Sequence, residues 1–250
     1  MTQDLTILKL GGSVITDKHS AGCINCKAIA ELASVIASNP QPVLIIHGAG
    51  SLGHPEAKTW HIADGVSKEN APGIYETHEA VSSLNREVVK ALRKAGINAV
   101  SFPPFASALA EDKRLCSAGE KQIEMLLAAE ITPVLFGDVV MDTKQGACIV
   151  SGDQLAPYLA RVLSAKRVGI VTSSGGVLAG DKVVPALSRE NISDISFTAA
   201  DCADVTGGMK GKVDELLSLA EDGIDSQIFA PHELADFLAG NSPGTHVTHD

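Results

Sequence analysis

Nowhere in these 250 residues do lysine and arginine form a basic run, and the formal net charge is -10. Nucleic acid rewards clustered positive charge, so it is not expected as a partner. Long apolar runs are missing as well. Stretches such as 43–46 and 168–171 fall far short of the roughly 20 residues that cross a bilayer, and the start of the chain lacks the basic-then-apolar pattern of a signal peptide. A cytoplasmic protein with no membrane partner is expected. The five cysteines, Cys23, Cys26, Cys116, Cys148 and Cys202, are odd in number and scattered, unlike a secreted disulfide framework. Reduced thiols are the simplest reading, and the Cys23-x-x-Cys26 pair has no second pair at zinc spacing. Internal repeats, low-complexity tracts and linkers are absent too. With 45% hydrophobic residues, a chain of this length is expected to bury one ordinary core as a single domain.

What is present is an alternation of short apolar runs with segments of helical period. That pattern predicts a largely parallel sheet covered by helices on both faces. Strands are predicted at 6–10, 43–47, 99–102, 132–136, 168–172 and 226–230. Ile74, Val81, Leu84, Val88 and Leu92 fall on one helical face with charges on the other, which predicts a long amphipathic helix closed by Gly96. Ser117 and Glu120 have capping-box spacing ahead of Ile123, Leu126 and Leu127, predicting a helix start. Ser151 and Gln154 repeat it ahead of Leu155 and Leu159, although Pro157 falls deep for a helix capped there and moves the expected cap toward Asp153. Further helices are predicted at about 210–222, stopped by Gly223, and about 233–239, before Gly240.

Three glycine-bearing turns flank these elements: Lys9-Leu10-Gly11-Gly12-Ser13, His47-Gly48-Ala49-Gly50-Ser51-Leu52-Gly53-His54 and Thr206-Gly207-Gly208-Met209. Glycine lets backbone N–H groups approach an anion, and a helix start adds a favourable dipole. An isolated Gly pair is ordinarily a tight turn, so their number carries the argument. A Walker loop is missing, as is the Rossmann fingerprint with its later acidic residue. Several separate anion-cradling turns at strand ends, where open α/β sheets place their ligands, suggest two anions in one crevice and hence phosphoryl transfer.

Four blocks, Lys9 to Lys18, His47 to Pro55, Ser151-Gly152-Asp153-Gln154 and Asp204 to Lys212, resemble archaeal-type isopentenyl phosphate kinases of the amino acid kinase superfamily. The resemblance spans nearly the whole chain, including the final Gly244-Thr245-His246-Val247. It implies an α/β amino acid kinase fold, a three-layer sandwich with a central mostly parallel sheet and helices on both faces. Residues 1–250 would form one domain, the N-terminal half binding the acceptor and the C-terminal half the nucleotide. The implied reaction converts ATP and isopentenyl phosphate to ADP and isopentenyl diphosphate, late in an alternative mevalonate route, and a homodimer is implied as well. Carried over by position, Lys9 and Lys212 would flank the transferring phosphoryl group, Lys18 would touch the nucleotide phosphates and Asp153 would orient the lysines. His54 would hold the acceptor phosphate with backbone groups at Ala49, Gly50 and Gly152. ATP would meet Lys9, Gly11, Gly12, Ser13, Gly50, Thr172, Ser173, Gly208 and Lys212. Mg2+ would be held mainly by the nucleotide phosphates, with no protein cage.

The chemistry is coherent. A loose transition state spreads charge over equatorial oxygens and needs fixed positive charge and positioning more than covalent help. A phosphate acceptor is already largely ionised at neutral pH, so the lack of an evident general base is understandable. His19, His61, His78, His232, His246 and His249 have no setting like that of His54 and read as structural or surface residues. The apolar face of the long helix could supply a pocket for an isoprenoid tail, although core packing is the ordinary role of such a face. The sequence departs from the family at Thr172-Ser173-Ser174-Gly175-Gly176, where an acidic T-D-x-D-G turn is usual, and 179–203 is short. Two other readings stay open here: a kinase of the same fold acting on another small acceptor, such as fosfomycin or an acylated amino acid, and a non-catalytic nucleotide- or anion-binding protein.

Overall fold

Side chains of a strand face opposite ways in turn, and in β1 (Thr6–Leu10) both directions are buried. Ile7 joins one apolar cluster, while Leu8 and Leu10 join another. A strand covered on both faces belongs in the interior of a parallel sheet, and β1 lies there. The computed structural model describes residues 4–17, 22–195 and 208–249.

After β1 come α1 (Gly12–Ile15), α2 (Cys26–Ala37), β2 (Val43–His47), α3 (Gly50–Thr59), α4 (Pro72–Lys94), β3 (Ala99–Ser101) and α5 (Pro104–Ser107). Next are β4 (Leu109–Glu111), β5 (Arg114–Ser117), α6 (Glu120–Ala128), β6 (Thr132–Phe136), β7 (Asp138–Asp142), β8 (Gly146–Val150), α7 (Gly152–Val162) and β9 (Arg167–Val171). The remainder is β10 (Leu178–Ala179), β11 (Lys182–Val183), β12 (Ala186–Leu187), α8 (Gly208–Glu221), β13 (Ser226–Phe229), α9 (Leu234–Leu238) and β14 (Thr245–Val247).

Eight strands form one sheet in the order β12-β14-β13-β9-β1-β2-β6-β3. Every neighbouring pair is parallel except β13 with β14. Helices α6, α7 and α8 cover one face through Ile123, Leu155, Leu159, Val213 and Leu216. Helices α2, α4 and α9 cover the other through Ile29, Leu32, Leu84, Val88 and Phe237. This is the three-layer arrangement that the alternating pattern predicts. A second sheet, β5-β4-β7-β8, stands beside it.

The six expected strands are present with ends within one residue, and α4 carries the predicted apolar face before Gly96, whose φ of 97° closes the helix. Two helix starts differ from expectation. Ser117 ends β5 and does not cap a helix: Gly119, at φ 69°, is the cap residue of α6, and the Glu120 carboxylate accepts from the Ala118 N–H. Ser151 does cap α7, its hydroxyl accepting from the Gln154 N–H at 3.2 Å. The cap does not shift toward Asp153. Pro157 stays inside the helix and leaves the Asp153 carbonyl without the usual donor four residues on.

Candidate active site

Glycine brings the turns together by its lack of bulk. A Cβ on Gly12 would come within 2.5 Å of Gly50, and one on Gly11 within 2.6 Å of the Val171 carbonyl. The ends of β1, β2 and β9 are thereby pressed into one cleft of about 500 Å³. Lys9, Gly11, Gly12, Ser13, Ala49, Gly50, His54, Gly152, Asp153, Thr172, Ser173, Gly208 and Lys212 all line it. Lys18 lies outside the described residues, as does Thr206-Gly207 of the third turn.

The alternation that buries Ile7 toward α7 turns Lys9 the same way. Its ammonium donates to Asp153 Oδ1 at 2.9 Å, and Lys212 from α8 donates to the same oxygen at 2.8 Å. Lys9 is 5% exposed and Lys212 9%. Burial lowers the Lys9 ammonium from an ordinary 10.5 to about 8, with Asp153 opposing the shift and Lys212 adding to it. Burial pushes the Asp153 carboxyl up, but Lys212 and Lys9 outweigh it and hold it well below the usual carboxylate range. Two cations on one carboxylate leave one positive charge in a secluded place, which an anion would complete. Asp153 stands in the first turn of α7, whose N-terminus offers its N–H groups and dipole in the same direction.

On the opposite wall, α3 begins at Gly50, so His54 sits on the second turn of a helix and not on a free turn as expected. Helix α4 adds Thr77 and Val81 to this wall, and β8 adds Ile149. Leu84, Val88 and Leu92 of α4 go to the core and Ile74 packs against Ile62, Val139 and Ala147, so of its predicted apolar face Val81 alone borders the cleft. His47 is fully buried, with Nδ1–H directed to the Gly48 carbonyl at 3.0 Å, Nε2 facing the Asn85 amide at 3.1 Å and the ring stacked on Phe136. Burial pushes it down to about 4, so it is a neutral structural residue at physiological pH.

At the other end, the Ser173 hydroxyl donates to Ser13 Oγ at 3.0 Å, and the Ser174 hydroxyl donates to the Gly176 carbonyl at 2.9 Å. The departure from an acidic turn has thus produced a lining of small hydroxyls. Sequence reasoning missed the Ser13–Ser173 link and the pairing of His78 with Asp138, which borders the cleft. Asp138 did leave a trace: a lone carboxylate between Leu135-Phe136 and Val139-Val140 needs a partner if its apolar neighbours are buried.

Residues 4–230 match the amino acid kinase family. The isopentenyl phosphate kinase of Haloferax volcanii is 36% identical over 97% of this chain and 98% of its own length. The chain belongs to the amino acid kinase family, on its isopentenyl phosphate kinase branch. The isopentenyl phosphate kinase of Methanothermobacter thermautotrophicus is 35% identical over 98% of this chain and 99% of its own. A crystal structure of an isopentenyl phosphate kinase superposes with a TM-score of 0.84 at 32% identity, covering 97% of this chain and 99% of that one. The cleft of this kinase lies at the carboxyl ends of β1, β2 and β9, where α/β sheets place ligands.

Proposed function

We propose that this chain transfers the γ-phosphoryl group of ATP to the phosphate of isopentenyl phosphate, giving ADP and isopentenyl diphosphate. The observation that carries the reading is the Lys9–Asp153–Lys212 cluster facing His54 across one cleft. The names of the relatives supply the acceptor.

In this reading the acceptor lies between α3 and α4, its phosphate held by His54 and by backbone groups at Ala49, Gly50 and Gly152. ATP lies against Gly11 to Ser13, Thr172, Ser173 and Gly208. Lys9 and Lys212 stand on either side of the phosphoryl group in transit, where fixed charge stabilises the spread negative charge. Asp153 sets both ammonium groups in place, and Lys18 adds a contact to the nucleotide phosphates. No residue need remove a proton, because a phosphate monoester is mostly ionised at neutral pH. The two carboxylates that border the cleft among the described residues support that view: Asp153 holds the lysines, and Asp138 is bound by His78 and two backbone N–H groups. For the same reason Mg2+ fits as an ion carried by the nucleotide phosphates and water. It would neutralise phosphate charge there.

One domain, with acceptor in its N-terminal half and nucleotide in its C-terminal half, forms part of the proposal, as do a homodimer and a cytoplasmic location. The resemblance to the family supports these points, and no described helix is long and apolar enough to cross a membrane. Sedimentation tests the dimer. Phosphorus NMR of the protein with magnesium and ATP tests the reaction, in parallel tubes holding isopentenyl phosphate, dimethylallyl phosphate, fosfomycin or acetylglutamate. New diphosphate signals confined to the isoprenoid phosphates are expected. Transfer to fosfomycin or acetylglutamate instead would overturn the acceptor, and no transfer at all would overturn the kinase.

A further inference from the structure

His78 and Asp138 form a pair that the phosphoryl transfer does not use. The Asp138 side chain is fully shielded from solvent, and that of His78 is 23% exposed. Nδ1 of His78 lies 3.0 Å from both carboxylate oxygens, the Phe105 N–H donates to Oδ2 at 3.1 Å and the Val139 N–H to Oδ1 at 2.9 Å. A carboxylate only accepts, so Nδ1 carries the hydrogen. Nε2 faces the Ser82 hydroxyl at 3.2 Å, and the ring packs on Phe105 at 4.8 Å between centroids. The bond to Asp138 raises the His78 pKa, while burial raises that of Asp138 against the same bond.

Three elements meet at this carboxylate: α4 through His78, α5 through Phe105 and β7 through Asp138 itself. The consequence for the cleft follows from the neighbours. Thr77 and Val81, on the same stretch of α4 as His78, form the acceptor wall. Asp138 pairs with Val150, the residue before Ser151-Gly152, where α7 starts. A shift of α4 against β7 would therefore change the gap between the acceptor wall and the Gly152 N–H at the start of α7.

We propose that His78 is a positioning residue for the acceptor: through Asp138 it fixes the Thr77–Val81 wall relative to the start of α7, without touching either substrate. The inference rests on the acceptor site proposed above. Losing His78 leaves the buried carboxylate with only the Phe105 and Val139 N–H groups, one donor short and no longer tied to α4, so α4 can shift or solvent can enter in its place.

The test uses two variants of the full chain. His78→Phe keeps an aromatic ring but loses the donor, and His78→Asn keeps an amide N–H close to the place of Nδ1. For His78→Phe the acceptor KM should rise about tenfold or more, with kcat and the KM for ATP within about threefold of wild type. His78→Asn should stay within about threefold in all three. An unchanged acceptor KM in the Phe variant, an equal loss in all three constants, or an Asn variant as impaired as Phe overturns the proposal. Should the Phe variant fail to fold, His78→Ala with added imidazole replaces it. Restoration of the acceptor KM by imidazole supports the role, and a folded variant with a raised KM that imidazole does not restore overturns it. Calorimetric binding of isopentenyl phosphate separates this inference from the reaction. Wild type that binds without turnover overturns the kinase while His78→Phe still reports on affinity, and wild type that binds nothing overturns both.

Discussion

On the side proposed for the acceptor the cleft is walled by two helices: α3 and α4 meet where Val81 lies against Gly53, and α4 is held to the central sheet by Leu84 and Val88 and to β7 by the His78–Asp138 bond. The side proposed for the nucleotide, between the end of β9 and the start of α8, is lined by short hydroxyls, Thr172, Ser173 and Ser174. A helical wall fixes shape, whereas hydroxyls on a turn offer hydrogen bonds with little shape of their own. Selectivity should therefore reside mainly on the acceptor side, with the charge cluster between the two serving both substrates.

Removing the shared element should have the largest effect. Lys212→Ala is expected to lower the single-turnover rate by about a hundredfold to a thousandfold, the scale seen when a preorganised charge-stabilising group is lost. A wild-type rate would place the chemistry elsewhere. His54→Ala should act on one side only, raising the acceptor KM about tenfold or more while leaving the KM for ATP nearly unchanged. Equal effects on both constants would erase the distinction between the sides.

Acidity should divide activity from stability. In the protein without substrate Lys9 loses its proton above about pH 8, so kcat/KM for ATP should fall above that pH, approaching tenfold per unit. Stability should move the other way. Between about 8 and the ordinary 10.5 the unfolded chain holds a proton on Lys9 that the folded chain has released, so this group makes the fold more stable as pH rises through that window. Thermal unfolding and steady-state kinetics over the same pH series check both signs.

Ser173→Ala removes the hydroxyl bound to Ser13 and should change the KM for ATP by no more than about fivefold, because a neutral hydrogen bond contributes only about 1 kcal/mol. A much larger loss would mean that the hydroxyl turn reads its ligand closely. The smallest effect is expected at Thr77, whose buried hydroxyl has no hydrogen-bond partner among the described residues. Thr77→Val should leave folding intact or raise the melting temperature by about 2–4 °C, the scale of about 1 kcal/mol in a chain of this size. A lower melting temperature would show that the hydroxyl is satisfied in solution.

How far the sequence spoke depended on where each signal was written. Buried parallel strands are apolar runs with no alternation, so β1, β2 and β6 could be read from five consecutive residues. The side sheet could not. β4 and β5 are three and four residues long with much of their surface exposed, and β4 pairs with β7 across the intervening α6 and β6. Helix α3 was hidden by Gly50, Gly53 and Pro55, residues that argue against a helix by propensity. In the site, Lys9 stood out as a charge inside an apolar strand. The His78–Asp138 bond joins residues 60 positions apart, and no local pattern marks such a meeting.

Strand β1 is laddered to β2 on one side and to β9 on the other, residue by residue from Thr6 to Leu10. The turns proposed for the two substrates thus hang from neighbouring strands of a single ribbon of backbone hydrogen bonds. Swinging the β2 side against the β9 side as rigid bodies would break this ladder through its centre. Closure over the reactants must come from side chains and short segments at the rim, and the sheet beneath should keep the same outline whether the cleft is empty, half filled or full.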